Sequence, residues 1–452
     1  MQTYFFKGIL IAGCFFSIVS YGQPQIHYDQ KIAPALLQQD FLLLRDTLQK
    51  SQPGLYRYQG KTRMDYVFDS CYASIRDSET DLQFFTRVAY IVASVGDGHT
   101  NCNPPKETLN EFRDHEKFFP ALVVFIHSRA YMYCSNQDTL LRGAELLSIN
   151  GRPMDAIVQR IYQYVQSDGF ISSHKDTELP EGFNLLYYMI FGPADRFAIT
   201  CRTLAGKIQK ATLEAEQFKN IFCPTPYPRP TKWLELCYEK GNVAVLTIKT
   251  FFDGFLAQSG EHFAGFLDSA FTDIRKKNVS RLLIDLRRNQ GGNDGNGEQL
   301  YSYLTASPFR YYLSQETVRE KFSEKDHPNL AMQQPQKNNY SGELFVLCDG
   351  RSFSASAEFS AIVKSNHRGR FIGDTCGGGY YGNTSGDEVH VILPATGLDI
   401  RLPLVKYTMA VHALPKGEYG IQPDYPLYPG IKDLLDHSDR EIGQAVRIAG
   451  EH

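Results

Sequence analysis

Past its first two dozen residues the sequence contains nothing approaching 18 uninterrupted apolar residues, so no further segment suits a membrane-spanning helix. Clustered positive charge is missing too. The 47 basic and 50 acidic residues leave a formal net charge of -3, and without a basic field to hold phosphates nucleic acid is not an expected partner. No HExxH or CxxC spacing occurs, and His127, His262, His367 and His412 stand at no ligand spacing. Neither a metal nor a cofactor is therefore expected. Eight cysteines follow Cys14 without any paired spacing, and a chain of this size needs no disulfide framework. A few bridges or none is the expectation, and Cys102, near His99, reads as a small buried hydrophobe rather than a nucleophile.

What is present describes a globular protein. Hydrophobic residues make up 42% and charged residues 21% of 452, enough for a packed core and, at about 150 residues per unit, for roughly three units. The 30 phenylalanines and 27 tyrosines suit core packing and an apolar groove. Residues 1–22 carry Lys7, an apolar stretch from Gly8 to Val19, and then Ser20, Tyr21 and Gly22. This is the layout of a cleavable secretory leader, so the protein is expected to be exported to the periplasm or cell envelope, or secreted. Ile11, Ala12, Gly13 and Cys14 also match a lipoprotein processing box, which would tether the protein through Cys14 if lipidated. The apolar run continues through Phe15, Phe16, Ile18 and Val19, which favours simple cleavage.

Three kinds of pattern follow one another along the mature chain. From Ala33 to Val95 apolar residues recur at helical spacing, as in Leu37, Phe41, Leu44 and Leu48, giving a helical unit over 23–115. Over 116–225, Phe119 to Cys134 alternates as strands do. The segment Arg142 to Gly151 reads as a strand running into an Asn-Gly turn before a helix from Met154 to Val165. From 226 to 452 the short apolar runs Val243 to Ile248, Leu282 to Leu286 and Leu344 to Leu347 alternate with helical or Gly-rich stretches, as in an α/β core with strands buried on both faces. The polar segment 308–340 reads as a surface insertion.

Three short segments could carry chemistry. Gly96-Asp97-Gly98-His99-Thr100 places a histidine on a turn directly after a helix; a solvated loop histidine is the bland alternative. Leu282 to Gly292 ends a buried strand in two glycines, which can bring backbone N–H groups close to a ligand. A phosphate loop would need a Lys-Ser/Thr ending, and a calcium site using Asp285 and Asp294 would need regular acidic spacing. Gly350 to Phe359 follows the strand Leu344 to Leu347 and opens a helix, so Ser352, Ser354 or Ser356 would sit where the helix dipole and free N–H groups favour developing negative charge. The competing use of a serine there is a simple helix cap.

Together these segments resemble the C-terminal processing (tail-specific) and tricorn-type serine peptidase family, over nearly all of the mature chain. The resemblance implies an α+β multidomain protein: a helical N-terminal domain, a PDZ-like module, and an α/β catalytic core of the ClpP/crotonase-like kind. It implies Ser354 as nucleophile, because the family's serine precedes a glycine by 19 residues and Gly373 stands 19 after Ser354. The family's Ser-Lys branch carries lysine 25 residues after the serine, where this chain has Gly379. The resemblance is therefore to the tricorn-like branch, with His99 as general base and Glu418, just before Gly420-Ile421-Gln422-Pro423-Asp424, as the acid. Lys416 and Asp424 are its neighbours, and Asp424 reads as structural. The backbone N–H groups of Ala355 and of Gly291 or Gly292 would form the oxyanion hole. Polypeptide or peptide would be the substrate. A non-catalytic binding relative of the same fold and a PDZ-type scaffold are the competing readings; the latter leaves the serine, histidine and Gly-Gly segments unexplained.

Overall fold

The computed structural model describes residues 27–221, 223–415 and 419–451. The leader with Cys14, and Lys416 and Glu418, lie outside them. Among the described residues no helix is long and apolar enough to cross a membrane.

The helical periodicity forms three helices, Pro34–Ser51, Lys61–Ala73 and Asp81–Val95. In the first, Leu37, Phe41, Leu44 and Leu48 are buried whereas Leu36 and Leu42 on the other side are exposed, the one-sided burial that a 3.6-residue repeat produces. The third starts at Thr80, which exchanges capping bonds with Gln83, and ends at Gly96 in the left-handed conformation. This stop turns the chain sharply into the His99 segment.

These helices share their core with a distant part of the chain. Leu393, Leu398, Ile400 and Leu402 pack among Leu44, Phe84, Val88 and Val92. They belong to the hairpin Thr384–Ile392 and Asp399–Met409, whose second strand also pairs with Asn101–Asn103 and with Tyr312–Glu316. The N-terminal unit and the last third of the chain therefore fold against one another.

The middle segment makes an antiparallel sheet of Ala121–Ile126, Arg129–Ser135, Glu145–Ile149, Arg196–Arg202 and Ile208–Glu214 in that order. The helices Met154–Ile161 and Ser172–Phe191 lie beside it, the first ending four residues before Val165 and passing into a 3-10 turn at Tyr162–Tyr164. A disulfide joins Cys134 on the second strand to Cys223 beyond the last.

The α/β core is a six-stranded sheet in the order Leu234–Glu239, Val243–Ile248, Arg281–Asp285, Glu343–Cys348, Arg370–Gly373 and Tyr425–Pro426; only the first pair is antiparallel. The three apolar runs are its central parallel strands. Both faces are covered: Leu246, Ile284 and Val346 belong to one apolar cluster with the helix Phe263–Lys276, while Val245, Leu283 and Phe345 pack with Ala445 and Ala449 of Arg440–Glu451.

Within the segment 308–340, read as a surface insertion, residues 317–329 include no buried residue, but the part around Tyr312 goes inside. Tyr311, Tyr312 and Gln315 are fully buried, because Tyr312–Glu316 adds an edge to the Asp399–Met409 sheet and the Tyr312 hydroxyl donates to Glu358 at 2.6 Å. Tyr312 and the Gln315 amide nitrogen, which donates to Asn329 at 3.1 Å, are buried with partners, whereas the Tyr311 hydroxyl is enclosed without one among the described residues.

Candidate active site

The turn that bears Ser354 lies at the carboxyl end of the strand Glu343–Cys348, where an open parallel sheet leaves a crevice for ligands. Residues 349–354 lead into the helix Ala355–Ser365. Two bonds hold this turn: the Phe353 N–H donates to the Asn289 carbonyl at 3.1 Å, and the Gly377 N–H donates to the Ser352 carbonyl at 3.0 Å. Ser354 adopts φ 54° and ψ -129°, a region that costs an L-residue of order 1–3 kcal/mol and persists only where the surroundings enforce it.

The three serines differ sharply in surroundings. Ser352 is buried and its hydroxyl donates to the Leu286 carbonyl at 2.9 Å. The Ser356 hydroxyl is enclosed without a partner. Ser354 occupies the cap position of its helix, yet its side chain makes no capping bond. Its Oγ instead lies 3.2 Å from His99 Nε2, within reach for proton transfer.

His99 arrives at this spot from 255 residues away. Its turn is shaped by Asp97, which is buried and accepts from the Thr100 hydroxyl at 2.6 Å, from the His99 N–H at 3.1 Å and from Gln52 Nε2. The imidazole stacks on the Phe353 ring at 4.6 Å between centroids, and His174 stacks on that ring's other face at 4.4 Å. This aromatic sandwich sets the plane in which Nε2 meets Ser354. His99 Nδ1 is enclosed without a hydrogen-bond partner among the described residues; the nearest Asp97 oxygen is 3.8 Å away, too long for a hydrogen bond. Burial opposes protonation of His99, but the carboxylates of Asp97, Asp168 and Glu358 outweigh it, and its pKa lies above the ordinary 6.5. Glu358, one helical turn beyond Ser354, is pushed up to about 7 by burial and by Asp294.

The two-glycine segment lies against the nucleophile. A Cβ on Gly291 would stand 2.7 Å from Ser354 Cβ and 2.9 Å from the Ala355 nitrogen. The Gly291 N–H, however, donates to Asn289 Oδ1 at 2.9 Å, so it is not free to bind an oxyanion, and what Gly291 supplies is closeness. The N–H groups of Ala355 and Gly292 have no hydrogen-bond acceptor among the described residues; that of Ala355 is one of the groups a helix start leaves open. Asp424 is committed to Lys364 at 2.7 Å and to the Phe371 N–H at 2.7 Å. Asp285 pairs with Arg287 and Lys249, and Asp294 accepts from Asn329 at 2.9 Å.

Sequence reasoning passed over Asp97, Phe353 and Asp168. Asp97 stood inside a segment already singled out, so its buried carboxylate could have been suspected from the tight Gly-Asp-Gly turn. Asp168 lies in a plain polar turn and gave no signal.

Comparison with known proteins adds a family match to part of the chain and a likeness of fold. Residues 242–427 match the model of peptidase family S41. No curated protein matches the chain by sequence. Among solved structures, mature CPAF is 14% identical with a TM-score of 0.62, covering 91% of this chain and 96% of that one. Mature CPAF complexed with lactacystin gives 14%, 0.61, 91% and 97%. A putative peptidase from Parabacteroides merdae is 15% identical over 92% of this chain and 97% of its own, with a TM-score of 0.47. The likeness to CPAF is one of fold.

Proposed function

We propose that this chain, whose residues 242–427 match the model of peptidase family S41, is a serine peptidase that cleaves peptide bonds through an acyl-enzyme on Ser354 with His99 as general base. The observation that carries this reading is the 3.2 Å approach of His99 Nε2 to Ser354 Oγ, made by residues that no local structure requires to meet. His99 takes the hydroxyl proton as Ser354 attacks the peptide carbonyl, and gives it to the leaving amine. The N–H groups of Ala355 and Gly292 receive the developing oxyanion, aided by the helix start. The strained backbone at Ser354 is consistent with a side chain held for attack rather than for capping. Glu418 is retained as the acid of the triad on its sequence position alone.

Two finer parts belong to the same proposal. The middle module is read as PDZ-like, on the strand Glu145–Ile149, the Asn150-Gly151 turn with both residues at positive φ, and the helix Met154–Ile161; such modules capture extended peptide by strand addition. Export is supported by the leader-like residues 1–22 and suits the Cys134–Cys223 disulfide, which an oxidising compartment preserves.

The test uses the chain from Gln23 with Ser354→Ala and His99→Ala controls, on unstructured polypeptide and peptide libraries. Loss of at least roughly a hundredfold in rate in both variants is expected for removal of a nucleophile or base. Equal inertness of all three proteins with retained peptide binding would replace this reading with that of a non-catalytic binding relative.

A further inference from the structure

Asp168 stands in the segment between the 3-10 turn Tyr162–Tyr164 and the helix Ser172–Phe191 of the middle module. It is 1% exposed and has no lysine or arginine partner among the described residues. Its carboxylate instead spans two loops of the candidate site. Oδ1 accepts the Gly98 N–H at 2.9 Å, one residue before His99. Oδ2 accepts the Gly379 N–H at 2.9 Å, in the Gly-rich stretch that follows the nucleophile element. The next residue extends the seam, with the Gly169 N–H donating to the Gly96 carbonyl at 2.8 Å.

A carboxylate buried on two neutral donors is costly unless a cation shares its site. The candidate cation is His99, one ring nitrogen of which stands with an oxygen each of Asp97 and Asp168 inside one cluster, all within 4.8 Å of one another. Asp97, held by Thr100, Gln52 and its own turn, acts on the same imidazole from 3.8 Å, so Asp168 adds a second carboxylate from another module. We propose that Asp168 is the positioning residue of the site: it fastens the His99 turn to the Gly379 loop and stabilises the imidazolium that forms when His99 takes the Ser354 proton. The middle module thereby holds the His99 turn through Asp168, beside the stacking of His174 on Phe353. This rests on the reading of His99 as general base.

Among the described residues, the charged and titratable groups facing His99 are Asp97 on its own turn, Asp168 from the middle module and Glu358 from the helix after Ser354. Tyr58, with Arg57 beside it, faces Asp168. Asp168→Asn keeps the shape, removes the charge and sets an amide N–H against one of the two donors. The deciding measurement is a proton NMR titration of His99 in the full mature chain carrying Ser354→Ala, with and without Asp168→Asn. It needs no turnover, so it stands even if the chain hydrolyses nothing and the peptidase reading fails. The His99 midpoint should lie above 6.5 and fall by roughly one unit on loss of the neighbouring charge. In the active chain the same variant should lose about ten- to a hundredfold in kcat/KM, mostly in kcat, with the acid limb of the pH profile moving down in step. A midpoint that does not move overturns the proposal whatever happens to the rate, because a purely structural clamp would lower activity without shifting it. Should Asp168→Asn fail to fold, Asp168→Ser, which leaves room for water at both N–H groups, gives the same two outcomes.

Discussion

Replacing Gly291 with alanine should push directly on the turn that bears Ser354. The added Cβ would meet Ser354 Cβ at 2.7 Å, the Ala355 nitrogen at 2.9 Å and the Phe353 carbonyl at 2.9 Å. Ordinary carbon contacts lie at about 3.5–4.0 Å, so one partner must move by about 1 Å. All three atoms belong to the nucleophile turn, which is held by the bonds from Phe353 and Gly377, and none is the tip of a flexible side chain. Gly291 also sits at φ +92°, which adds about 1–2 kcal/mol for a residue with a Cβ. With about 1–3 kcal/mol for overpacking, stability should fall by about 2–5 kcal/mol, read from denaturant midpoints. A displacement of this size at the reacting oxygen costs about a hundredfold in rate, read as kcat/KM and as the rate of Ser354 labelling by an active-site acylating agent. Gly443→Ala is the control. It lies inside the helix Arg440–Glu451 with nothing within 4 Å of the new Cβ, and should stabilise by up to about 1 kcal/mol without touching the rate. A Gly291→Ala enzyme with wild-type kcat/KM would refute the close packing of this loop on the nucleophile.

Arg287 is 7% exposed and donates to Asp285, Asp439 and Glu441, so Arg287→Met leaves buried Glu441 without its cation and buried Asp285 with Lys249 alone, and should cost about 3–5 kcal/mol in a denaturant melt. Although burial raises the pKa of Asp285, Arg287 and Lys249 outweigh it and hold that carboxyl well below the usual range. Its folded value is then below its unfolded value, the unfolded chain binds the proton first, and the stability it contributes is present above about pH 4 and lost as pH falls. Wild type should therefore lose stability on acidification below that pH, and Asp285→Asn should flatten that limb in melts between about pH 2 and 5. The Cys134–Cys223 bridge closes a span of 89 residues, and the double serine variant should lose about 2–4 kcal/mol, measured beside its change in mobility on a non-reducing gel.

The parts of the fold that could be read in advance are those where burial is periodic and local. Val243–Ile248, Arg281–Asp285 and Glu343–Cys348 are apolar on successive positions, which only a strand covered on both faces tolerates, and they became the parallel centre of the sheet. The helical face of Leu37, Phe41, Leu44 and Leu48 is of the same kind. What could not be read is pairing over long separations. Nothing in the sequence of Asp399–Met409 says that it will meet both Asn101–Asn103 and Tyr312–Glu316, and the polarity of 308–340 concealed a buried strand because Tyr312 carries its polar atom to Glu358.

The same division runs through the candidate site, with a different cause. His99 and Ser354 stood out because each sits in a segment whose local geometry is unusual: a tight glycine turn after a helix, and a serine at a strand-to-helix junction. Their meeting, by contrast, is tertiary, and so is the difference between Ser354 and its neighbours, which comes down to a backbone at φ 54° and a hydroxyl left without a capping bond. Asp168 is harder still, because it acts on backbone N–H groups that every residue but proline possesses. A side chain that recognises main chain leaves no partner residue type to search for, and only the folded chain brings Gly98 and Gly379 to its two oxygens. Residues of this kind join modules that motifs describe separately. Here the turn that bears His99, the loop beyond Ser354 and the middle module converge on one carboxylate, so a change in how the middle module sits would reach His99 and Ser354 through Asp168 as well as through the stack of His174 on Phe353.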